Sequence, residues 1–407
     1  MNAETYVVVG AGPAGARAVE ALRGEGFDGQ VVVIGEEEHR PYERPPLSKG
    51  YLAGDQKREE IELLSQAWFD QNDVELLLGR PAVRIDPGAR VVHMSKGERV
   101  GYDRLLLTTG SAVRRLPVPG ADLAGVLTLR SVGDSDAIRD AIAAGGPLVV
   151  VGGGWLGLEV AGVARSAGLD VTLVEVADQP LAAVLGADVG EQFAVLHQEH
   201  GVDVRVGTGV TAFRGTRRVE AVELADGSVL PAAAVVTGVG IRPRTELAES
   251  AGLAIDNGVV VDAQLRTSDP RIWAAGDVAN AANDWVGHAV RVEHFANAED
   301  QGRFVGRAIA GAEDRWGRPP FFWSDQYDAG LEYRGWADPA SARVVRRGSW
   351  QDGAWMAFWL DGDRIAAGMH VNAWDDADTV KALVTERAAV DVDRLSDPAT
   401  PLDAVRG

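Results

Sequence analysis

The chain has 407 residues, a formal net charge of −20 and no cysteine. The length suggests two or three domains, and the negative charge argues against nucleic acid or an anionic membrane surface as a partner. The missing thiols exclude disulfides, thiolate catalysis and cysteine-held iron or zinc. We expect no metal site. No apolar run approaches a membrane helix and no basic leader opens the chain, which indicates a cytoplasmic protein.

The first predicted unit is a strand, a glycine turn, a helix and a second strand. Residues 5–9 are apolar, as in a strand buried on both faces, and residues 10–15 read GAGPAG. An alanine-rich helix follows, and then the strand segment QVVVIGEEE, with Glu36 and Glu37 just past its end. This order of elements is the context that a dinucleotide-binding fingerprint requires.

A second copy of the same order begins near residue 147. It contains Gly152-x-Gly154-x-x-Gly157, a helix that stops at Gly168, a strand and then Glu175. One such glycine pattern is weak evidence, but two copies that each end in an acidic residue are strong. Residues 96–110 and 226–240 extend the duplication, because each predicts a hairpin that leads into a buried strand and a glycine turn.

The remaining elements complete the predicted domain organisation. Residues 267–280 predict a short strand ending at Gly276-Asp277, then a helix, and we expect them to return the chain to the first domain. Seven of the 11 tryptophans lie at or beyond residue 316, where large aromatic residues are expected to fill a small core. Asp361-Gly362-Asp363 predicts a hairpin and residues 376–390 a helix. The predicted fold class is α/β, with two Rossmann-type domains and a C-terminal α+β domain. The predicted boundaries are 1–110 with 244–318, 111–243, and 319–407.

The chemistry of these motifs indicates two bound dinucleotides. Glycines allow the tight turn and the approach of the pyrophosphate, which binds at the helix N-terminus. Glu36 in the first unit and Glu175 in the second are the candidates for holding ribose hydroxyls. A carboxylate repels a 2′-phosphate, so Glu175 favours NADH over NADPH. Two such units in one chain suggest FAD and a nicotinamide dinucleotide, with hydride transfer between them.

Five segments resemble the FAD-dependent NADH:ferredoxin reductases of bacterial P450 and aromatic-dioxygenase systems. They are RPYERPPLSKGYL, GGGWLGLE, TSDPRIWAAGD, VRVEHFANAEDQ and FFWSDQY. The resemblance implies a glutathione-reductase-like fold. It also implies an oxidoreductase that passes electrons from NADH through tightly bound FAD to a small 2Fe–2S ferredoxin, which supplies a P450 or a ring-hydroxylating oxygenase.

The resemblance also implies roles for individual residues. Lys49 would lie beside the flavin, Glu159 near the nicotinamide and Phe295 beside the isoalloxazine ring, and these three are the predicted catalytic residues. The predicted FAD contacts are Gly10, Gly12, Pro13, Ala14, Gly15, Glu36, Glu37, Arg44, Lys49, Ala82, Thr109, Gly110, Arg130, Gly276, Asp277, Glu293, His294 and Phe295. The predicted NAD contacts are Gly152, Gly154, Trp155, Leu156, Gly157, Glu159, Glu175, Gly238, Val239 and Gly240.

Several alternatives stay open at this point. Arg303, Arg307, Arg315 and Arg318 form a basic cluster that is either a docking patch for an acidic ferredoxin or a solvated helix face. The acceptor could be a rubredoxin or a quinone instead, and a flavin- and NADH-binding redox sensor or interaction protein is a further alternative. We expect a monomer or a weak homodimer. His197 and His200 flank a helix end without the partners that a metal site needs.

Overall fold

The structure is a computed structural model and describes residues 4–407. Its helices are α1 (Pro13–Gly24), α2 (Gly50–Ala53), α3 (Gln66–Gln71), α4 (Val132–Ala144), α5 (Trp155–Ser166), α6 (Ala182–Leu185), α7 (Ala187–Glu199), α8 (Glu246–Ser250), α9 (Phe295–Ala310), α10 (Ala377–Thr385) and α11 (Val392–Ser396). Short 3₁₀ turns are at Pro45–Ser48, Arg58–Ile61, Gly276–Val278, Trp350–Asp352, Trp374–Asp376 and Leu402–Ala404.

The strands are short and follow the whole chain. They are β1 (Thr5–Val9), β2 (Gln30–Ile34), β3 (Val74–Leu77), β4 (Ala82–Asp86), β5 (Val91–Met94), β6 (Arg99–Gly101), β7 (Arg104–Leu107), β8 (Ser111–Val113), β9 (Val126–Thr128), β10 (Leu148–Val151), β11 (Val171–Val174), β12 (Asp203–Arg205), β13 (Val210–Gly215), β14 (Val219–Leu224), β15 (Val229–Pro231), β16 (Ala234–Thr237), β17 (Ile241–Pro243), β18 (Val259–Val261), β19 (Ile272–Ala274), β20 (Ala279–Asn283), β21 (His288–Val290), β22 (Phe321–Gln326), β23 (Ala329–Gly335), β24 (Arg343–Arg347), β25 (Trp355–Asp361) and β26 (Arg364–Val371).

The chain separates into two compact units. The first takes in the chain up to Arg44, residues 58–112 and residues 242–320, and the second takes in residues 45–57, 113–241 and 321–407. The predicted three-domain division stays a prediction. Among residues 4–407, no helix is long and apolar enough to cross a bilayer.

The first unit contains a five-stranded parallel sheet in the order β19-β7-β1-β2-β3. Its central strands are buried on both faces, which is why they consist of continuous apolar residues rather than an alternating pattern. Helix α1 begins with a proline at its first position, where the missing N–H costs nothing. Strands β4, β5 and β6 add a three-stranded antiparallel sheet. Strands β18, β20 and β21 form a mixed sheet, in which β20 pairs in parallel with β18 and antiparallel with β21.

The second unit repeats this arrangement, so the predicted duplication is confirmed. Its parallel sheet has the order β12-β11-β10-β16-β9, and β13, β14 and β15 form the accompanying antiparallel sheet. The registers of two equivalent strand pairs match at their ends. Strand β1 ends with Val9 opposite Ile34 of β2, and β10 ends with Val151 opposite Val174 of β11. The α/β fold class with two dinucleotide-binding folds is therefore the observed one.

The C-terminal part of the second unit is a five-stranded antiparallel sheet in the order β22-β23-β26-β25-β24. The predicted hairpin at residues 361–363 joins β25 to β26. Trp355 and Trp359 are 2% and 0% exposed, so the expected core role is confirmed for these two tryptophans. Trp336 and Trp374 are exceptions, because they lie largely at the surface.

One predicted element is wrong. The sequence after Gly276-Asp277 predicts a helix, but the structure has a single 3₁₀ turn followed by strand β20. The alanines of β20 have high helix propensity. Pairing with β18 on one side and β21 on the other overrides that local preference.

Candidate active site

The first glycine turn leaves the start of helix α1 open. Gly10 has a φ of +124°, and a Cβ on it would lie 2.1 Å from the carbonyl oxygen of Thr108, so only glycine fits there. The helix cap is Gly12, which makes no side-chain cap hydrogen bond, and a Cβ on Gly12 would meet no atom within 4 Å. Free N–H groups at an open helix N-terminus fit a pyrophosphate.

The second glycine turn has the same construction. Gly152 has a φ of +107°, and a Cβ on it would lie 2.4 Å from the carbonyl oxygen of Gly238. Gly154 caps helix α5 without a side-chain hydrogen bond, and the space around it is open. Both turns therefore fit the phosphate groups of a dinucleotide. Gly238 and Val239, which follow β16, lie beside the second turn, whereas the Gly240 carbonyl oxygen accepts a hydrogen bond from the N–H of Arg114.

Glu175 lies against the second glycine turn. It directly follows β11, and its Oε2 accepts a hydrogen bond of 2.5 Å from the N–H of Gly153. Its Oε1 accepts one of 2.8 Å from the N–H of Ala177. Each carboxylate oxygen can accept more than one hydrogen bond, so Glu175 can still accept from ribose hydroxyls.

Glu36 does not occupy the position that corresponds to Glu175. Because Ile34 and Val174 are equivalent in the two sheet registers, Gly35 is the counterpart of Glu175 and Glu36 lies one residue further on. A Cβ on Gly35 would lie 2.8 Å from the Cβ of Ala11, so the first turn has no room for a side chain there.

The two acidic residues after β2 are each paired with an arginine. Glu36 is half-exposed and forms an ion pair with Arg244. Glu37 accepts a hydrogen bond of 2.6 Å from Arg44 and one of 2.5 Å from the hydroxyl of Tyr42. Burial would raise the pKa of Glu37, but the charge of Arg44 and these hydrogen bonds lower it overall. The structure thus brings together Glu37 and Arg44, both of which are predicted FAD contacts.

The segment Gly276–Val278 meets the start of helix α1. A Cβ on Gly276 would lie 3.1 Å from the Cβ of Ala14, and the Gly276 N–H donates to Gln301 at 2.8 Å. Arg291 donates from Nη1 to the carbonyl oxygen of Asp277 at 3.3 Å and forms an ion pair with Glu293. These contacts bring several predicted FAD residues to one end of the sheet.

Other predicted FAD residues are placed by different elements. His294 is the N-cap of helix α9 and Phe295 is its first residue. Thr109 donates from Oγ1 to the carbonyl oxygen of Arg244 at 2.8 Å, and Ala82 opens strand β4. Arg130 belongs to the second unit, where its N–H donates to Asp134 at the start of helix α4.

An ion pair with a buried carboxylate lies in the second unit. The Glu159 side chain in helix α5 is 5% exposed and pairs with Lys49, which directly precedes helix α2. Ser48 donates to Glu159 Oε2 at 2.5 Å, and Ser324 of strand β22 donates to Oε1 at 2.5 Å. Desolvation of a charged pair is costly, so a buried carboxylate with three donors is a candidate functional group.

The residues beside Glu159 in the glycine turn have different surroundings. Trp155 packs edge-on against Phe193 and Phe322, with ring centroids 5.7 Å and 4.9 Å away. Its Nε1 is buried and has no hydrogen-bond partner within residues 4–407. Leu156 is 43% exposed, so it presents its side chain to the surface at this turn.

The sequence did not identify the serines on Glu159. Ser48 and Ser324 lie within segments that carry the resemblance, but their role depends on which face of a strand is buried. In β22, Phe322, Ser324 and Gln326 alternate on the buried face. A polar residue at two of three buried positions is the signal, and it becomes readable only once the strand is placed.

The four arginines of the basic cluster all lie in the first unit and all have acidic neighbours. Arg303 lies 3.6 Å from Asp300, and Arg318 lies 3.5 Å from the same carboxylate. Arg307 pairs with Asp314 at 3.7 Å, and Arg315 pairs with Asp284 at 2.7 Å. The positive charge of this cluster is therefore partly compensated by the chain itself.

Comparisons with known proteins cover nearly the whole chain. The family model described as pyridine nucleotide-disulphide oxidoreductase matches residues 4–302, and the model described as reductase C-terminal matches residues 321–406. The chain is 41% identical to rhodocoxin reductase of Rhodococcus erythropolis, over 90% of this chain and 86% of that protein. It is 38% identical to the ferredoxin–NAD⁺ reductase component of the anthranilate 1,2-dioxygenase system of Burkholderia cepacia, over 99% of each. The structure resembles the reductase in the covalent putidaredoxin reductase–putidaredoxin complex, with a TM-score of 0.94, 37% identity, and 98% and 97% of the two chains covered.

Proposed function

We propose that this chain, which belongs to the pyridine nucleotide-disulphide oxidoreductase family, is an enzyme that passes electrons from NADH through FAD to a small 2Fe–2S ferredoxin. That ferredoxin would supply a P450 or a ring-hydroxylating oxygenase. The observation that carries the proposal is the match along nearly the whole chain to ferredoxin reductases. Proteins of this family use FAD and NAD(H). When bound, FAD supplies the chemistry, since it accepts a hydride from NADH and can release the two electrons singly.

The two glycine turns divide the cofactors between them. We assign the turn at Gly10 to FAD and the turn at Gly152 to the nicotinamide dinucleotide. The Glu175 carboxylate beside the second turn supports NADH, because its negative charge would repel a 2′-phosphate. Residues 176–180 contain no lysine or arginine that would attract one.

We assign Lys49 and Glu159 of the second unit to the reaction with NADH, and Phe295 of the first unit to the flavin ring. The support for the assignment of Lys49 and Glu159 is physical: the Glu159 carboxylate is buried, pairs with the partly buried Lys49 and accepts hydrogen bonds from two serines. Within this pair, Glu159 holds the ammonium group of Lys49 in place, and the surrounding protein shields the carboxylate from water. A fixed charge in a dry environment acts more strongly on a neighbouring reaction than one in water.

The docking patch stays a proposal. We place an acidic ferredoxin against the first unit at Arg303, Arg307, Arg315 and Arg318. The side chains of Arg315 and Arg318 are more than half exposed and could exchange their own carboxylates for those of a partner. The cytoplasmic location and the monomeric or weakly dimeric state also stay predictions.

Steady-state reduction of cytochrome c tests the proposal. The FAD-loaded protein is assayed with NADH or NADPH, with and without a 2Fe–2S ferredoxin. We expect NADH-dependent activity that rises strongly when ferredoxin is added. Equal activity with NADPH would contradict the role of Glu175. A rubredoxin or a quinone that replaces ferredoxin would change the acceptor, and FAD binding with slow turnover on every acceptor would favour a redox sensor.

A further inference from the structure

A series of hydrogen bonds in the second unit ends on the Glu159 carboxylate. Ser324 Oγ lies 2.5 Å from Glu159 Oε1, and Gln326 Nε2 lies 3.4 Å from Ser324 Oγ. His197 Nε2 lies 3.0 Å from Gln326 Oε1, and the Tyr327 hydroxyl lies 3.3 Å from His197 Nδ1. The series therefore joins helix α7 to helix α5 through the buried face of strand β22.

The direction of each hydrogen bond follows from the carboxylate at the end. A carboxylate only accepts, so Ser324 donates its single hydroxyl proton to Glu159. Gln326 therefore donates its amide N–H to the Ser324 oxygen, which leaves its carbonyl oxygen facing His197. Because a carbonyl oxygen only accepts, His197 carries its proton on Nε2 and accepts the Tyr327 hydroxyl proton at Nδ1. All four protons point toward Glu159.

Packing does not explain these polar side chains. Ser324, Gln326 and His197 are 1%, 3% and 0% exposed. Apolar residues at the same positions would fill the core without any need for hydrogen-bond partners. The three side chains are explained instead by their shared series of hydrogen bonds. Hydrogen bonds that point in one direction polarise one another, and this strengthens the bond from Ser324 to Glu159.

We propose that Ser324, Gln326 and His197 are positioning residues that hold the Glu159 carboxylate in its ion pair with Lys49. The inference rests on the proposed function, in which this pair belongs to the site where NADH reacts. It extends that site to His197, which is three hydrogen bonds away from the carboxylate.

The surroundings of His197 keep it neutral. Burial lowers the pKa of His197 to about 4, the hydrogen bond to Gln326 raises it in part, and nearby His200 lowers it further. His200 is exposed, stacks on the ring of Tyr327 at 3.7 Å, and accepts at its carbonyl oxygen a hydrogen bond of 2.9 Å from Arg165. A neutral imidazole has one proton, as the direction of the series requires.

Nitrogen NMR of the protein with ¹⁵N-labelled histidine tests the direction of the series. We expect His197 to be the Nε2–H tautomer at neutral pH, with its signal identified by its loss in His197→Gln. Ser324→Ala should shift the His197 signal, although Ser324 reaches His197 only through Gln326. The control Thr245→Val removes a hydroxyl that donates to another carboxylate, Glu249, in the first unit, and should leave the signal unchanged.

Anaerobic stopped-flow reduction of the FAD-loaded protein by NADH tests the effect on the site. Ser324→Ala and Gln326→Leu should slow reduction at saturating NADH about tenfold, while the dissociation constant for NADH stays within about twofold. His197→Gln keeps an N–H donor toward Gln326 and should stay near the wild-type rate. His197→Met offers no donor and should be slow, and Thr245→Val should match wild type.

The outcomes separate this inference from the proposed function. An Nδ1–H tautomer, or wild-type reduction rates in both Ser324→Ala and Gln326→Leu, would overturn the inference while leaving ferredoxin reduction intact. If Ser324→Ala does not fold, Gln326→Leu carries the same test. A protein that shows the expected tautomer and slowed variants but reduces no ferredoxin would contradict the proposed acceptor and support the positioning role.

Discussion

Acid should destabilise the second unit through His197. The side chain is fully buried, and burial lowers its pKa from 6.5 to about 4, with a smaller opposing effect from the hydrogen bond to Gln326. The folded protein therefore resists the proton that the unfolded chain accepts. Above pH 6.5 the imidazole is neutral in both the folded and the unfolded state, and its contribution to the free energy of unfolding is fully present. This contribution is lost as the pH falls from 6.5 to 4.

The size of this effect follows from the shift in proton affinity. A change from 6.5 to about 4 corresponds to about 3 kcal/mol of unfolding free energy, since each tenfold change in proton affinity is worth about 1.4 kcal/mol. No discount for solvent screening applies, because the imidazole is not exposed. The variant His197→Gln keeps a donor toward Gln326 but has no proton to gain in this range.

Urea unfolding of the wild type and His197→Gln across this pH range measures the effect. Carboxylates titrate in both proteins, so the difference between the two unfolding free energies isolates the imidazole. We expect the wild type to lose about 3 kcal/mol relative to the variant between pH 6.5 and 4. A difference that stays constant over that range would show that His197 titrates normally, and would refute both its burial and its neutral state.

Two further predictions concern the partners of the protein. Glu175→Ala should lower kcat/KM for NADH about tenfold, because the carboxylate that accepts hydrogen bonds from the ribose is removed, and should raise kcat/KM for NADPH, because its repulsion of the 2′-phosphate is removed as well; the ratio of the two kcat/KM values measures this. Charge reversal of both Arg303 and Arg307 should raise the KM for ferredoxin and weaken its salt dependence, with ferricyanide reduction unchanged. Reversal of Arg84, which is also exposed and paired in the first unit, is the matched control; an equal effect of both reversals would argue against a defined docking patch.

The glycine turns could be predicted because their physics is local. A strand, a tight turn and a helix start lie within fifteen residues of each other, and the glycines are required by close approaches such as that of Gly10 to Thr108. The equivalent strand orders of the two parallel sheets confirm the predicted duplication. The prediction of a helix after Asp277 was wrong because β18, one of the two strands that pair with the alanine-rich segment β20, lies well before it in sequence at Val259–Val261.

The acidic residues show how a single methyl group limits prediction from sequence. A glutamate follows β2 in the first unit and β11 in the second, and the sequence assigns the same role to Glu36 and Glu175. In the second unit Gly153 lies opposite the acid, and the carboxylate reaches its N–H. In the first unit Ala11 takes that position, so the residue opposite must be Gly35 and the acid moves one residue onward. The register, which the sequence does not state, decides whether the two glutamates are equivalent.

The polar residues of β22 show a second limit of prediction from sequence. This limit concerns the direction of hydrogen bonds rather than the positions of residues. The segment FFWSDQY contributed to the resemblance as a pattern of letters, but the alternation of Phe322, Ser324 and Gln326 places two hydrogen-bonding side chains on a buried face. Once they are there, a carboxylate at one end leaves each donor only one orientation. The tautomer of His197 is therefore set by Glu159, a residue 38 positions earlier in the sequence, and no local property of the histidine segment contains that information.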